Sequence, residues 1–267
     1  MKESMTQNSR RRGTWLLVAL IAVIVALPVA AIAGYWVSSA IGRTTEVQAP
    51  DGSTKTLYWR EYPGTAELDP REVLDGPTPQ QGLAAGERMI TEIQEALDRE
   101  FSLNWTPIQP THEQGPFNTP VSNDFGGYSL LTNVNGPERQ STTVPPTWAS
   151  KQQAMDIINT VLLNHDYGAL ELQSPDGGSI ISGQVVIWGM STGPVGQWLT
   201  FGLQDVSLDV DGSFAKRELR MGNEREMTSW ISLSYGANGL LPAEHRKDFI
   251  SRLEPFLGLD KPEAVES

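Results

Sequence analysis

The chain has 267 residues, a formal net charge of −12 and no cysteine. The missing thiols exclude disulfides, thiolate catalysis, Cys-ligated metals and attachment through a lipidated cysteine. Lys2, Arg10, Arg11 and Arg12 against Glu3 give the first 40 residues +3 and leave −15 for the rest, an acidic body that lacks the phosphate-neutralising footprint of a nucleic-acid binder.

Residues 1–13 form a basic N-terminus, and from Trp15 to Val37 there follow 23 residues without a charge. At roughly 1.5 Å per helical residue the run reaches about 34 Å, enough to cross a hydrocarbon core of about 30 Å, so residues 14–38 are expected to anchor the chain in the cytoplasmic membrane. Arg10 to Arg12 precede the run and only Arg43 follows closely, which places the N-terminus inside and the C-terminal domain outside. Trp15 and Tyr35-Trp36 stand where interfacial aromatics fix the two ends of a span, and Pro28 would kink it. A second reading stays open. The basic start, the apolar run to Leu27, Pro28 and Ala31-Ile32-Ala33 also fit a signal peptide, whose cleavage near Ala33 would release a secreted domain. Both readings place the body outside the cytoplasm, and the missing cysteines favour a bacterial envelope protein.

Residues 39–83 are rich in turn formers (Asp51-Gly52, Pro63-Gly64, Asp69-Pro70, Gly76-Pro77) without sustained periodicity, and read as a stalk or a peripheral wrap. Residues 84–258 are expected to form the outer domain. Met89, Ile90, Ile93, Leu97 and Phe101 recur at three and four, which predicts a helix from Ala84 to Phe101, with Glu92, Glu95 and Asp98 on its solvated side. A loop-rich tract to Pro146 is broken by a strand from Tyr128 to Val134. A second helix is expected from Thr147 or Ser150 to Asn164, opened by Ser150 and Gln153 at capping-box spacing. Strand-like runs then cover Ala169–Leu172, Ser179–Trp188, Trp198–Val210 and Met227–Tyr235, separated by turn signals at Asp176-Gly177, Gly193-Pro194, Asp211-Gly212 and Gly222-Asn223. A last helix, Ala243–Leu257, precedes a tail, 259–267, that reads as frayed. The expected class is α+β, an antiparallel sheet of about five strands with two or three helices on one face.

The block from Trp148 to Gly183, a Trp-started helix followed by a strand and an Asp-Gly turn, resembles the mycobacterial LppA-like envelope lipoproteins. The resemblance implies an envelope domain of unassigned role and no catalytic residues. Those proteins are held by a lipidated cysteine that is absent here, so attachment would fall to the apolar segment.

Gly189-Met190-Ser191-Thr192-Gly193 matches G-x-S-x-G, and Ser191, Asp209 and His245 stand in the Ser, Asp, His order of the α/β-hydrolases, so a membrane-tethered serine hydrolase is one alternative. The elbow must run into a helix, whereas the following residues read as turn and strand; a hairpin turn is the plainer reading. Ser207 to Glu218 can be aligned as a calcium loop offering Asp209, Asp211 and Glu218, but its first position is not acidic and an Asp-Gly hairpin accounts for it. The three histidines, His112, His165 and His245, show no zinc spacing, and no cofactor motif is present. Trp105, Trp188, Trp198 and Trp230 fit packing within the fold, the commoner use of the residue, or stacking on sugars of a wall polymer. Together these readings favour a binding or assembly module over an enzyme, its partner an envelope protein or a cell-wall component.

Overall fold

The computed structural model describes residues 43–49, 51–108, 115–173, 180–181, 183–222 and 228–265. The expected anchor at 14–38, His112 and the Asp176-Gly177 turn lie outside the described residues, and no described helix is long and apolar enough to cross a membrane. Nine strands and five α-helices are described: β1 (Thr44–Gln48), β2 (Thr54–Tyr58), α1 (Pro70–Asp75), α2 (Pro79–Phe101), β3 (Phe117–Asn118), β4 (Thr132–Asn135), β5 (Arg139–Ser141), α3 (Trp148–Asn164), β6 (Glu171–Gln173), β7 (Val186–Thr192), β8 (Gln197–Gln204), α4 (Ser213–Met221), β9 (Trp230–Leu240) and α5 (Arg246–Leu253).

The expected α+β class holds, with an antiparallel sheet of seven strands in place of about five. Its order is β3-β4-β9-β8-β7-β6, and β5 pairs with β9 beyond the end of β4. Strict alternation builds the sheet. Ile187, Leu199, Phe201, Leu203, Ile231, Leu233 and Tyr235 point inward and meet Met89, Ile90, Ile93 and Leu97 of α2 and Ala154, Met155, Ile158 and Leu162 of α3. Each large apolar side chain so buried contributes about 1.5–3 kcal/mol.

Helix α2 starts five residues before the predicted Ala84, because Thr78 caps it reciprocally with Gln81 and Pro79 takes the first turn, where its missing N–H costs nothing. The box that opens α3 pairs Thr147 with Ser150; Gln153 instead reaches across to Glu100 of α2 at 2.7 Å. Lys151, from the first turn of α3, donates to Asp205 at the end of β8 at 2.7 Å, and both are buried. Ser207 adds its backbone N–H and its hydroxyl to the same carboxylate.

The described part of the region expected as a stalk or a peripheral wrap packs against the domain. Strands β1 and β2 form a hairpin, Trp59 to Tyr62 turn inward, and Trp59, Tyr62, Phe125 and Phe256 build an aromatic cluster with centroids 5.0 Å apart for Trp59 and Phe256 and 5.8 Å for Tyr62 and Phe125. Buried Asn123 fastens the turn: its amide N–H groups share the carbonyls of Trp59, Arg60 and Tyr62, each at 3.0 Å, while its Oδ1 accepts from Phe125 and Gly127. Gly127 lies so close to the Arg60 carbonyl that no Cβ fits. The C-terminal tail closes this second core. Lys261 donates to the carbonyls of Thr65, Ala66 and Leu68, and Val265 N–H donates to the Asp124 carbonyl, so the described part of the tail is tied down.

Burial pushes the Asp205 carboxyl up, but the hydrogen bonds from Lys151 and Ser207 and the charge of Lys151 together outweigh it and hold the carboxyl below its ordinary 3.8. A depressed carboxyl stabilises the fold above the unfolded value, and that contribution fades as pH falls through the lowered one. Lys151→Met is therefore expected to cost about 3–5 kcal/mol near neutrality, because it leaves a buried charge unpaired. Urea unfolding should show the gap between wild type and variant narrowing as the pH is taken below 3.8.

Candidate functional site

The other face of β7, β8 and β9 is built by the same alternation in the opposite phase. One rung across the strands runs Gln173, Trp188, Gly202, Ser232 and Gln140; the next runs Glu171, Met190, Thr200 and Ser234; the third runs Thr192, Trp198, Gly236 and Asn135. Trp188 is 45% exposed and Met190 48%, while Trp198, Thr200, Trp230, Ser232 and Ser234 are half-buried. Large apolar side chains left in water on an ordered sheet are the informative exception to burial.

Glycines seat the indoles. A Cβ at Gly202 would lie 2.6 Å from the Trp230 ring and 2.8 Å from the Trp188 ring, so both rings lean over this residue, with centroids 5.7 Å apart and planes at 52°. Trp198 likewise lies over Gly236, whose missing side chain also admits the Val134 carbonyl. Beside Trp198 runs an open groove of about 570 Å³, lined among others by Met190, Thr192, Gln197, Thr200 and Asn238. The turn that closes β7 onto β8 is held from behind: Gly193 N–H donates to the Gln197 carbonyl, Gly168 N–H to the Thr192 carbonyl, and the Tyr167 ring packs under Gly193. Burial pushes the Tyr167 hydroxyl up to about 12, so it stays neutral.

Ser191 belongs to that support. It lies inside β7, is 2% exposed, and its Oγ donates to the Gly168 carbonyl at 2.7 Å on the side opposite the tryptophans. The strand continues into β8 through a turn, without the helix an elbow requires. His245 sits in the turn before α5 with Nδ1 3.2 Å from the Leu130 carbonyl, on the β4 side of the sheet. Two strands intervene between β4 and β7, a span of about 14 Å at roughly 4.8 Å per step. Asp209 is occupied elsewhere, its Oδ1 and Oδ2 accepting from the N–H groups of Phe214 and Ala215 to cap α4. The structure does not bring the three together.

Ser207 to Glu218 is a helix start, where strands and a hairpin turn were expected. Gly212, at φ 67°, opens α4, and Asp211 accepts from Ser213 N–H, the contact that chiefly lowers its carboxyl below 3.8. Glu218 accepts from Arg217. With Asp209 and Asp211 turned to the backbone, the three calcium candidates do not converge, and no group of three or more metal-binding side chains is found among the described residues. On α2, Glu92 pairs with His165 across to α3 and Asp98 accepts from the Trp105 indole, so Trp105 stands apart from the exposed face.

A larger cavity, about 680 Å³, lies between α1 and the C-terminal segment over Trp59 and Tyr62. Of its polar contributors, exposed Asp69 caps α1 and half-buried Lys261 donates to three carbonyls. The buried Tyr62 hydroxyl has no hydrogen-bond partner among the described residues and is pushed by burial up to about 12, so it stays neutral. The groove beside Trp198 borders exposed aromatic surface. No family model, no curated protein and no solved structure matches the chain.

Replacing Ser191 with alanine is expected to lower stability by about 1 kcal/mol, the net worth of the hydrogen bond from its buried hydroxyl to the Gly168 carbonyl. A fluorophosphonate probe should label neither protein. Labelling of the wild type that vanishes in the variant would restore the nucleophile.

Proposed function

We propose that the chain is a single-pass membrane protein of a bacterial cell envelope whose outer α+β domain is a binding module, with the tryptophan-lined face of β7–β9 as its working surface. The uncharged run from Trp15 to Val37 and the basic residues before it support the anchor. The observation that carries the binding role is the rung order itself: aromatic rings seated on glycines, interleaved with short hydroxyl and amide side chains, on the side of the sheet opposite the helices. Ligand sites combine apolar surface with a few placed polar groups in this way. The acidic character of the body argues against a nucleic-acid ligand.

Two measurements test this reading. The intact chain should remain with membranes after alkaline extraction; a mature protein that begins at Gly34 and is found in the medium would replace the anchor with a cleaved leader. A photo-crosslinking amino acid in place of Met190 should capture an envelope component, whereas the same group in place of exposed Glu95 on α2 should not. Equal capture at both positions, or none at Met190, would remove the face from its assigned role.

A further inference from the structure

The chemistry of the face narrows its ligand, an inference that rests on reading that face as the binding surface. Of the residues in the three rungs, Glu171 alone carries a charge, and no lysine, arginine or histidine stands among them. An anionic polymer would find no counter-charge among these described residues and would be repelled by a body of net −15. A cationic partner would find one carboxylate at the β6 edge. The face is complementary to a ligand without charge.

Its polar groups are of one kind. Gln173 flanks Trp188 on one side, and Ser232 and Gln140 follow beyond Gly202; Thr192 and Asn135 stand at either end of the rung that holds Trp198 and Gly236. Short hydroxyls and amides can each donate and accept, which suits a ligand dense in hydroxyl groups. The middle rung adds Thr200 and Ser234, so hydroxyls stand between the two aromatic platforms. A protein partner of stable affinity would call for a contiguous apolar centre with a polar rim, whereas here Thr200 and Ser234 stand beside Met190 on the rung between the aromatics.

The indoles supply the remaining feature. Trp188 and Trp198 stand on rungs four residues apart, about 13 Å at roughly 3.3 Å per residue, more than one sugar ring along the strands. The C–H face of a pyranose ring is weakly positive and meets the negative face of an indole favourably. We propose that the ligand is an uncharged polysaccharide lying along β7 and β8, with one sugar ring stacked at the Trp188 and Trp230 pair and another at Trp198, and with the groove beside Trp198 holding part of the chain between them.

The test uses the full-length protein in a zwitterionic detergent that carries no sugar. Tryptophan fluorescence and calorimetry would follow titration with cellohexaose, chitohexaose and mannohexaose, and with hexagalacturonate as the anionic counterpart. At least one neutral hexasaccharide is expected to bind with a dissociation constant of about 1 mM or below, and the anionic one to bind at least tenfold more weakly, by roughly the margin that one unfavourable charge contact supplies. Trp188→Ala and Trp198→Ala should each weaken binding about tenfold or more, while Trp105→Phe should leave it unchanged. Thr200→Lys, at a half-buried surface position that does not touch the core, should also weaken binding and guards against a tryptophan variant that fails to fold. Absence of any response to the neutral sugars up to about 10 mM, equal or tighter binding of hexagalacturonate, or unchanged affinity in the folded Trp188→Ala and Thr200→Lys proteins would overturn the proposal. So would a concentration-dependent dimer that shields Trp188. If sugar binding fails while the crosslinker at Met190 still captures a protein, the ligand class is wrong and the binding face stands. If both fail, the face has no assigned role.

Discussion

The register of β8 between β7 and β9 is the constraint on which the rest of the molecule depends. Side chains alternate sides along a strand, so a slip of one residue would turn Leu199, Phe201 and Leu203 to solvent and drive Trp198, Thr200 and Gly202 against α2 and α3. The inner face forbids the slip through burial. On the outer face the same register sets Gly202 between Trp188 and Trp230, and Gly236 beneath Trp198. One alternation thus packs the core and exposes the aromatic surface, and the support from Ser191, Gly168 and Tyr167 behind the turn keeps the two strands in step.

Much of this was legible in the sequence, and the gaps have physical reasons. Helices α2 and α3 follow from long apolar stripes, and buried Met89, Ile90, Ile93 and Leu97 are the residues that define the stripe of α2. Strands β3 and β5 were lost because they hold only two and three residues, too few for a period to show, whereas β6 overlaps the expected run Ala169–Leu172. Gly189 to Gly193 read as a turn on its glycines alone, although Gly189 is packed against Leu170 and Leu172 as an ordinary strand residue and the turn begins only after Thr192. Helix α4 was missed because Ser213 to Met221 is short and strongly charged, and its start depends on Asp209, whose capping contacts span five and six residues. The tryptophans could be placed on strands from sequence. Which side the helices would cover could not, because that is decided by tertiary packing.

The second core changes the expected domain plan. Asn123, Lys261 and the Trp59 cluster draw residues 57–73 and the C-terminal segment onto the same body, so the region read as a stalk or a peripheral wrap carries aromatic core residues. A spacer is defined by freedom from the domain, and Trp59 is bound on every side: its N–H donates to the Arg43 carbonyl, its indole to Thr45, and its ring packs on Phe256. Under the proposed anchoring, residues 39–43 are all that separates the apolar run from β1. The outer domain would then work close to the membrane surface, and its ligand would have to be found there.

The central claim is that the face of Trp188, Trp198 and Trp230 receives the ligand while Trp59, Trp105 and Trp148 serve the fold. Fluorine NMR of the protein labelled with 5-fluorotryptophan separates them, since each of the eight tryptophans gives its own signal. Addition of the neutral hexasaccharide that binds should move the signals of Trp188, Trp198 and Trp230 and leave those of Trp59, Trp105 and Trp148 in place. Movement confined to Trp59, Trp105 or Trp148, with the three face signals unchanged, would contradict the account.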